Sequence, residues 1–290
     1  MADENQIGKQ ILKIRTIFQN VQDFFANNSD RSHLIDHLES SENEFRSVAY
    51  EAASMELAIA DLSGGTELKN WQLFAQKNSV KHSAQIHAGL GWALAQQNKP
   101  LFEIPEKIIP LERGRVLDGY GYYDGMFRQR QTIKNKKIPE GIDSVSLHAY
   151  DQGVGRSLWY ISQGETDKLK SMITVFPATR HPALWRGIGV ATAYVGGFNE
   201  TDLNSVFSLA SDNQVSLMIG ICLAARARSK AGAMTHDTEM ACNICCKMSA
   251  TKAAELTIKA EPDTHDANAY AGWMLNVEKA LRIELIETNQ

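Results

Sequence analysis

The chain has 290 residues and a formal net charge of −4, with 43% hydrophobic and 22% charged residues. This length supports one large or two ordinary domains, and the composition is typical of a soluble globular protein. The acidic balance disfavours nucleic acid as the main partner. No sustained apolar run of about 18 residues stands out, so we expect no membrane insertion. The polar, acidic start 1–5 lacks the pattern of a secretion signal and predicts a cytoplasmic location.

Apolar residues recur at helical spacing along the chain, beginning with a stripe from Ile7 to Phe25. Ser41 and Glu44 have the spacing of a capping box, which predicts a helix that runs toward Leu62 and ends at Gly64-Gly65. No run shows the period of two that is typical of strands, so the pattern predicts an all-α fold. The other predicted helices are 67–76, 83–96, 113–127, 143–162, 167–175, 182–194, 201–210, 213–230, 238–248 and 266–287.

Two stretches interrupt the helical pattern. Residues 97–110 contain three prolines, and each of them also restricts the residue before it, which predicts a surface loop. Residues 129–142 carry the basic run Lys134-Asn135-Lys136-Lys137. A solvated connector is the preferred interpretation of this run, and contact with an anionic partner is the alternative.

The chain also contains two similar halves. Ala49-Tyr50-Glu51 leads to a Gly-x-Gly pair at 89–91, and Ala149-Tyr150-Asp151 leads to another at 187–189 after a similar interval. We interpret this as a degenerate repeat of helical hairpins. Glycines 89, 187 and 220 each precede an alanine by four residues, which predicts faces that let helix axes approach closely. The predicted organisation is a single domain, 1–290, with an N-terminal extension 1–40, pseudo-repeats 42–128 and 142–232, and C-terminal helices 235–288.

Three glycines lie inside the predicted helix 113–127, in the string Leu117-Asp118-Gly119-Tyr120-Gly121-Tyr122-Tyr123-Asp124-Gly125. Glycine in a helix interior costs about 1 kcal/mol relative to alanine, so either a close backbone approach or a small-molecule site is expected there. Asp118 and Tyr122 are four residues apart on one face. A buried carboxyl beside a phenol can exchange protons. The candidate catalytic residues are therefore Asp118, Tyr122, Asp124 and Asp151, with structural ion pairs as the alternative.

A second string, Asp151-Gln152-Gly153-Val154-Gly155-Arg156-Ser157-Leu158-Trp159, supplies candidate binding residues. Arg156 follows Asp151 by five residues, and Trp159 lies one turn beyond it. An arginine flanked by an acid and an indole can hold a carboxylate or stack on a planar ligand. The alternative is a role in the core. The candidate ligand-binding residues are Arg156, Trp159, Tyr123, Gln152, Trp185 and Arg186, and we expect an exposed Arg186 to close a pocket.

Motifs for bound cofactors are not found in the sequence. There is no P-loop, no Gly-x-Ser-x-Gly and no Cys-x-x-Cys pair with a partner pair, so no cofactor is expected. The four cysteines, Cys222, Cys242, Cys245 and Cys246, lie near His236 in the last quarter of the chain. Their spacing matches no standard zinc module, so buried structural thiols are preferred over a metal site, which stays open as the alternative.

Several strings together resemble the UnbL-like proteins, over roughly residues 42–250. They are Ala52-Ala53-Ser54-Met55-Glu56-Leu57-Ala58, His87-Ala88-Gly89-Leu90-Gly91-Trp92-Ala93, Asp118-Gly119-Tyr120-Gly121-Tyr122, the string 151–159 and Leu184-Trp185-Arg186-Gly187-Ile188-Gly189. The resemblance implies a bacterial accessory protein of enediyne biosynthesis, since members of that family occur in gene clusters beside a polyketide synthase that makes a polyene. It implies no catalytic residues.

Two functions are consistent with these observations. One is a cofactor-independent enzyme that isomerises or cyclises an unsaturated chain, with Arg156 holding an anionic group. The other is a binding or scaffold protein for an apolar intermediate or for partner proteins. The expected partners are a small apolar or polyene-like ligand and biosynthetic proteins, and the sequence leaves an oligomer open.

Overall fold

The computed structural model describes residues 5–101, 108–262 and 266–288, and the all-α prediction is confirmed for this part of the chain. Its regular structure is helical throughout. The helices are α1 (Gln6–Asn27), α2 (Leu34–Glu39), α3 (Arg46–Gly64), α4 (Lys69–Gln96), α5 (Pro110–Phe127), α6 (Ser144–Ser162), α7 (Thr166–Ile173), α8 (His181–Val195), α9 (Glu200–Ala210), α10 (Gln214–Ala231), α11 (His236–Ala241), α12 (Ala250–Lys259) and α13 (Ala269–Thr288).

Helix boundaries agree with the sequence pattern at most positions. The two predicted helices 67–76 and 83–96 form one helix, α4, with a kink at His82, where φ is −124° and ψ is 23°. The capping box prediction is wrong, because a short 3₁₀ turn with the buried Phe45 precedes α3, and α3 has no side-chain cap. Helices α2 and α12 were not predicted. Residues 102–107 of the proline-rich stretch lie outside the described residues, and Pro110 begins α5.

Six helices form the centre of the fold. Helices α3, α4, α5, α6, α8 and α10 contact one another in that order, and α10 also contacts α4, so α4 to α10 form a closed loop that α3 joins through α4. We call these six helices the ring. Helix α1 packs against α3 and α8, whereas α13 packs against α5, α6 and α10. The ring thus surrounds a central space that α1 and α13 cover from different sides.

Glycines allow the ring helices to touch backbone to backbone. A Cβ atom on Gly121 of α5 would overlap the carbonyl oxygen of Tyr150 in α6, and one on Gly153 of α6 would overlap that of Asp118 in α5. The close approach predicted for Gly89, Gly187 and Gly220 is confirmed, since a Cβ atom there would overlap a backbone carbonyl oxygen of the preceding ring helix. The same kind of contact with a neighbouring ring helix occurs at Gly91, Gly119, Gly155 and Gly189.

Equivalent contacts recur in the two proposed halves. The Arg128 guanidinium, at the end of α5, donates to the backbone oxygen of Ala95 at the end of α4. The Arg228 guanidinium, near the end of α10, donates to the backbone oxygen of Tyr194 at the end of α8. The positions differ by 100 residues in one case and 99 in the other, which supports the proposed pseudo-repeat of α3–α4–α5 and α6–α8–α10.

We expect Gly153→Ala to destabilise the protein by about 2 kcal/mol, because overpacking a close helix contact forces the backbones apart. The added Cβ would also lie 2.7 Å from the backbone nitrogen of Tyr122. Gly272→Ala in α13 is the matched control, since a Cβ there meets nothing within 4 Å. That change should be neutral or stabilise the helix by up to about 1 kcal/mol. Urea unfolding of both variants tests the prediction. Equal free energies of unfolding for Gly153→Ala and Gly272→Ala would contradict it.

One stretch, 200–231, is long and apolar enough to cross a membrane by length and composition, with a mean hydropathy of 1.4 in its most apolar window. The sequence expectation that no such run exists is therefore wrong. The stretch comprises α9 and α10, separated by the turn Ser211–Asn213. Helix α10 packs against α8 and α12, and 44% of the apolar window is buried in the structure.

Candidate functional site

A cavity of about 610 Å³ occupies the centre of the ring. All six ring helices, together with α1 and α13, contribute lining residues. Its exposed lining residues all lie on the side of α1, at Arg15, Gln19, Gln96 and Phe127, and we call this side the mouth. A pocket of this size is typical of small-molecule sites.

The opposite side of the cavity is buried and polar. We call it the floor, and it consists of Arg115, Asp118, Gln152, Arg226, Tyr270 and Trp273, each less than a tenth exposed. Arg115 and Arg226 stack on Trp273, with their guanidinium carbons 5.4 and 4.8 Å from the ring centroid. The cavity is therefore closed at its charged side and open at its aromatic side.

Aromatic rings form the wall between mouth and floor. Phe18 of α1 stacks on Trp92 of α4 with ring centroids 4.8 Å apart, and Trp92 stacks on Tyr122 of α5 at 5.0 Å. Tyr160 of α6 meets Tyr122 edge to face at 5.3 Å. Such a wall offers flat, polarisable surfaces to an unsaturated ligand.

An ion-pair network crosses the middle of the cavity. The Arg156 guanidinium donates to the Asp118 carboxylate and lies 4.8 Å from the ring centroid of Tyr122. The Gln152 amide donates to the other oxygen of Asp118 at 2.6 Å. Arg156 Nη2 also lies 3.6 Å from Glu51 Oε1. Although burial alone would lower the pKa of Arg156, Asp118 and Glu51 raise that pKa above its usual value. Arg156 is therefore a permanent cation in the middle of the cavity.

Glu51 is the buried acid with the fewest bonds in this network. Burial raises the pKa of its carboxyl to about 7, against the opposing effect of Arg156 and with a smaller rise from Asp118. Its Oε1 has no hydrogen-bond partner among the described residues. Burial also holds the pKa of Tyr122 well above its usual value, so this phenol stays protonated. Glu51 can thus take or give a proton near neutral pH.

Five of the ten sequence candidates meet in the cavity: Asp118, Tyr122, Tyr123, Gln152 and Arg156 line it together. The predicted neighbours of Arg156 differ from the observed ones. It pairs with Asp118 and Glu51 instead of standing between Asp151 and Trp159, because its helix turns it toward α5 and α3.

The acids Asp124 and Asp151 lie in ion pairs outside the cavity lining. Asp124 accepts from Arg128 at 2.8 Å and from the Tyr150 hydroxyl at 2.9 Å. Asp151 is fully buried and accepts two hydrogen bonds from the Arg180 guanidinium. Burial raises the pKa of both carboxyls, against the effect of their partners. Their surroundings match the structural alternative that the sequence left open.

Three further candidates are also absent from the described lining. Trp159 and Trp185 are core residues, 1% and 3% exposed. The expectation that Arg186 is exposed is wrong, because α8 turns it into the interior. Its Nε donates to Gln152 Oε1 at 2.6 Å. This bond orients the Gln152 side chain so that its Nε2 donates to Asp118. Arg186 therefore orients a lining residue without lining the cavity itself.

Sequence reasoning did not select Glu51, Arg115 or Arg226. A signal existed for two of them. Glu51 occupies the repeat position of Asp151, and Arg115 shares a helical face with Asp118 and Tyr122 at spacings of three and seven. Arg226 shows no comparable local pattern.

The cysteine cluster is buried, as the preferred interpretation predicts. All four thiols are free, and Cys222 Sγ lies 3.8 Å from Cys246 Sγ. Burial raises the pKa of Cys245 to about 12. The His236 side chain is 83% exposed and faces Asp237. Within the described ranges, no group of three or more His, Cys, Asp or Glu side chains could hold a metal ion.

The fold and its lining residues define an all-α protein with a largely buried amphipathic cavity. Over residues 2–281 the chain matches the model of a family described as "Protein of unknown function (DUF1702)", and it belongs to that family. No curated protein and no solved structure matches it.

Proposed function

We propose that the protein binds an elongated, unsaturated and largely apolar small molecule in the ring cavity and exchanges a proton with it through Glu51. The observation that carries the proposal is the cavity itself: aromatic rings surround a buried carboxyl whose pKa is about 7. Along α5, the 12 residue steps from Arg115 to Phe127 correspond to about 18 Å at the helical rise. That length suits a chain better than a compact ring system.

The proposed chemistry needs no cofactor. The Glu51 carboxylate takes a proton from a carbon next to a double bond and the double bonds shift. The Glu51 carboxyl exchanges this proton with water and returns a proton to another carbon of the chain. Electrons and atoms balance within the substrate, so the reaction is an isomerisation. Arg156, 3.6 Å from Glu51, supplies positive charge beside the anion that forms on the chain.

The resemblance of the strings 118–122 and 151–159 to UnbL-like proteins supports a polyene-type polyketide as the ligand and a bacterial biosynthetic pathway of the enediyne kind as the setting. In this proposal the protein acts in the cytoplasm, without membrane insertion or nucleic acid. It works beside biosynthetic partner proteins and is free to form oligomers.

A binding protein without chemistry is the second candidate. One observation favours it: Asp118, the acid at the floor, is fully engaged with Arg156 and Gln152. In that case the cavity would shelter a reactive intermediate and Glu51 would only neutralise part of the charge of Arg156.

Two measurements test the proposal and separate the candidates. Native mass spectrometry and absorption spectra of protein purified from a bacterial host should show a bound conjugated ligand, or binding of added cis-parinaric acid, a fluorescent tetraene acid. Ala227→Trp should abolish binding because the indole would fill part of the cavity. Val80→Trp, at an 81% exposed position outside the lining, should not affect binding. Equal binding by both variants would contradict the site.

Catalysis is tested in D₂O. The bound polyene should acquire deuterium at carbons next to its double bonds, and Glu51→Gln should abolish this exchange while binding persists. Binding without exchange in the wild-type protein would favour the second candidate.

A further inference from the structure

We propose that the ligand is a carboxylic acid and that its carboxylate binds at the floor between Arg115 and Arg226. This inference rests on the proposed function and adds to it the charge and the orientation of the ligand: anionic head at the floor, unsaturated chain along the aromatic wall, tail toward the mouth.

The two arginines are placed as a clamp. Both stack on Trp273, so this one ring fixes the planes of both guanidinium groups. Both side chains are at least nine-tenths buried and line the cavity. Planar guanidinium groups in fixed orientation bind carboxylates through paired hydrogen bonds, which a lysine does not reproduce.

Each arginine keeps an unused donor. Arg115 Nη1 donates to Glu112 and to Ser83 Oγ, but Arg115 Nη2 has no hydrogen-bond partner among the described residues. The Arg226 guanidinium pairs with Glu261 through Nη2, and its Nε also lacks a partner there. Buried N–H groups without partners are rare and costly, so a small turn of these guanidinium groups toward a ligand carboxylate would relieve that cost.

The net charge around the floor favours an anion. Three arginines of the cavity lining and a fourth that bonds to Gln152 from behind the lining lie in this region, and three acids pair with the lining arginines as carboxylates when Glu51 is protonated. The positive charge also affects Lys230. Its pKa is lowered by burial first, and then by the charges of Arg226 and Arg115. The arginines are Arg115, Arg156, Arg186 and Arg226, and the acids are Glu112, Asp118 and Glu261.

The mouth is the competing place for an anionic head. Arg15 lies there, but it is exposed to solvent, and an exposed ion pair contributes little to binding. Phe18, Trp92 and Phe127 surround the mouth and suit the apolar tail. The distribution of charge therefore sets the direction in which the ligand enters.

The test compares cis-parinaric acid with the alcohol made by reducing its carboxyl group, by fluorescence titration at pH 6, where the Glu51 carboxyl is largely protonated. The wild-type protein should bind the acid at least about tenfold more tightly than the alcohol, as charge-assisted hydrogen bonds in a buried site allow. In Arg226→Met this preference should fall to nearly onefold, while the affinity for the alcohol stays within about twofold.

Arg226 is the first choice for substitution because its partner Glu261, 27% exposed, tolerates the loss better than Glu112, 13% exposed, does. Arg282→Met on the exposed face of α13 is the matched control and should keep the wild-type preference. Circular dichroism checks that each variant is folded, and a merely unfolded variant would lose the acid and the alcohol together.

Three results would overturn the inference. Equal affinity of the wild-type protein for acid and alcohol contradicts it while leaving the proposed function intact. A preference that survives Arg226→Met but is lost in Arg15→Met places the carboxylate at the mouth. Binding of neither probe contradicts the proposed function as well.

Discussion

Asp151→Ala is expected to lower the free energy of unfolding by about 3–5 kcal/mol, the usual cost of removing one partner from a buried ion pair. Asp151 has no solvent exposure and Arg180 is only 5% exposed. Arg180 donates to both carboxylate oxygens, so the substitution leaves a buried guanidinium without its counter-charge. Urea unfolding followed by circular dichroism measures the loss. Asp167→Ala on the exposed face of α7 is the control and should change stability by no more than about 0.5 kcal/mol.

A double substitution separates the structural role of Asp151 from a catalytic one. Asp151→Leu combined with Arg180→Met removes both charges, and such replacements of buried pairs are often neutral or stabilising. We therefore expect the double variant to recover most of the stability and to bind cis-parinaric acid like the wild-type protein. A stable single variant that fails to bind or exchange deuterium would instead support the catalytic role that the sequence suggested.

Much of the fold was predictable because its determinants are local. A helix with one buried face can be recognised from the spacing of its apolar residues. The ring helices also need close backbone contacts that only glycine allows. Gly89, Gly187 and Gly220 were therefore recognisable from their spacing to alanine before their neighbours were known. Closure of the ring was not predictable, since it depends on contacts between α4 and α10, which are far apart in sequence.

The site was predictable only in part because pairing between charges is not local. Glu51 and Asp151 each follow an Ala-Tyr pair in the first half of a helix, and their sequence contexts are nearly equivalent. Arg180 reaches Asp151 from the turn before α8, and it makes that acid part of the scaffold. In the first pseudo-repeat, His82 stands about as far from Glu51 in sequence as Arg180 stands from Asp151. His82 bonds to Ser47 and not to Glu51, so Glu51 faces the cavity and Arg156. The choice between the two acids was thus made by residues about 30 positions away.

Glu51 should also leave a signature in the pH dependence of stability. Its pKa rises from 4.5 to about 7 on folding, so between these values the native state binds a proton that the unfolded state has lost. The contribution of Glu51 to stability therefore falls as pH rises through this window, by about 1.4 kcal/mol per pH unit and by about 3 kcal/mol in total. Burial lowers the pKa of His82 to about 4, which has the opposite effect on the whole protein at low pH.

Comparison with Glu51→Gln isolates this contribution, because the effects of His82 and of all other groups are common to both proteins. From pH 4 to pH 8, the free energy of unfolding of Glu51→Gln, measured in urea, should rise by about 3 kcal/mol relative to that of the wild-type protein. Glu56→Gln on the same helix is the matched control, since Glu56 is outside the cavity lining and only half-buried. A constant difference across the range would show that the Glu51 carboxyl ionises at its ordinary pKa. Proton exchange with a ligand near neutral pH would then lose its physical basis, whereas binding in the cavity would not.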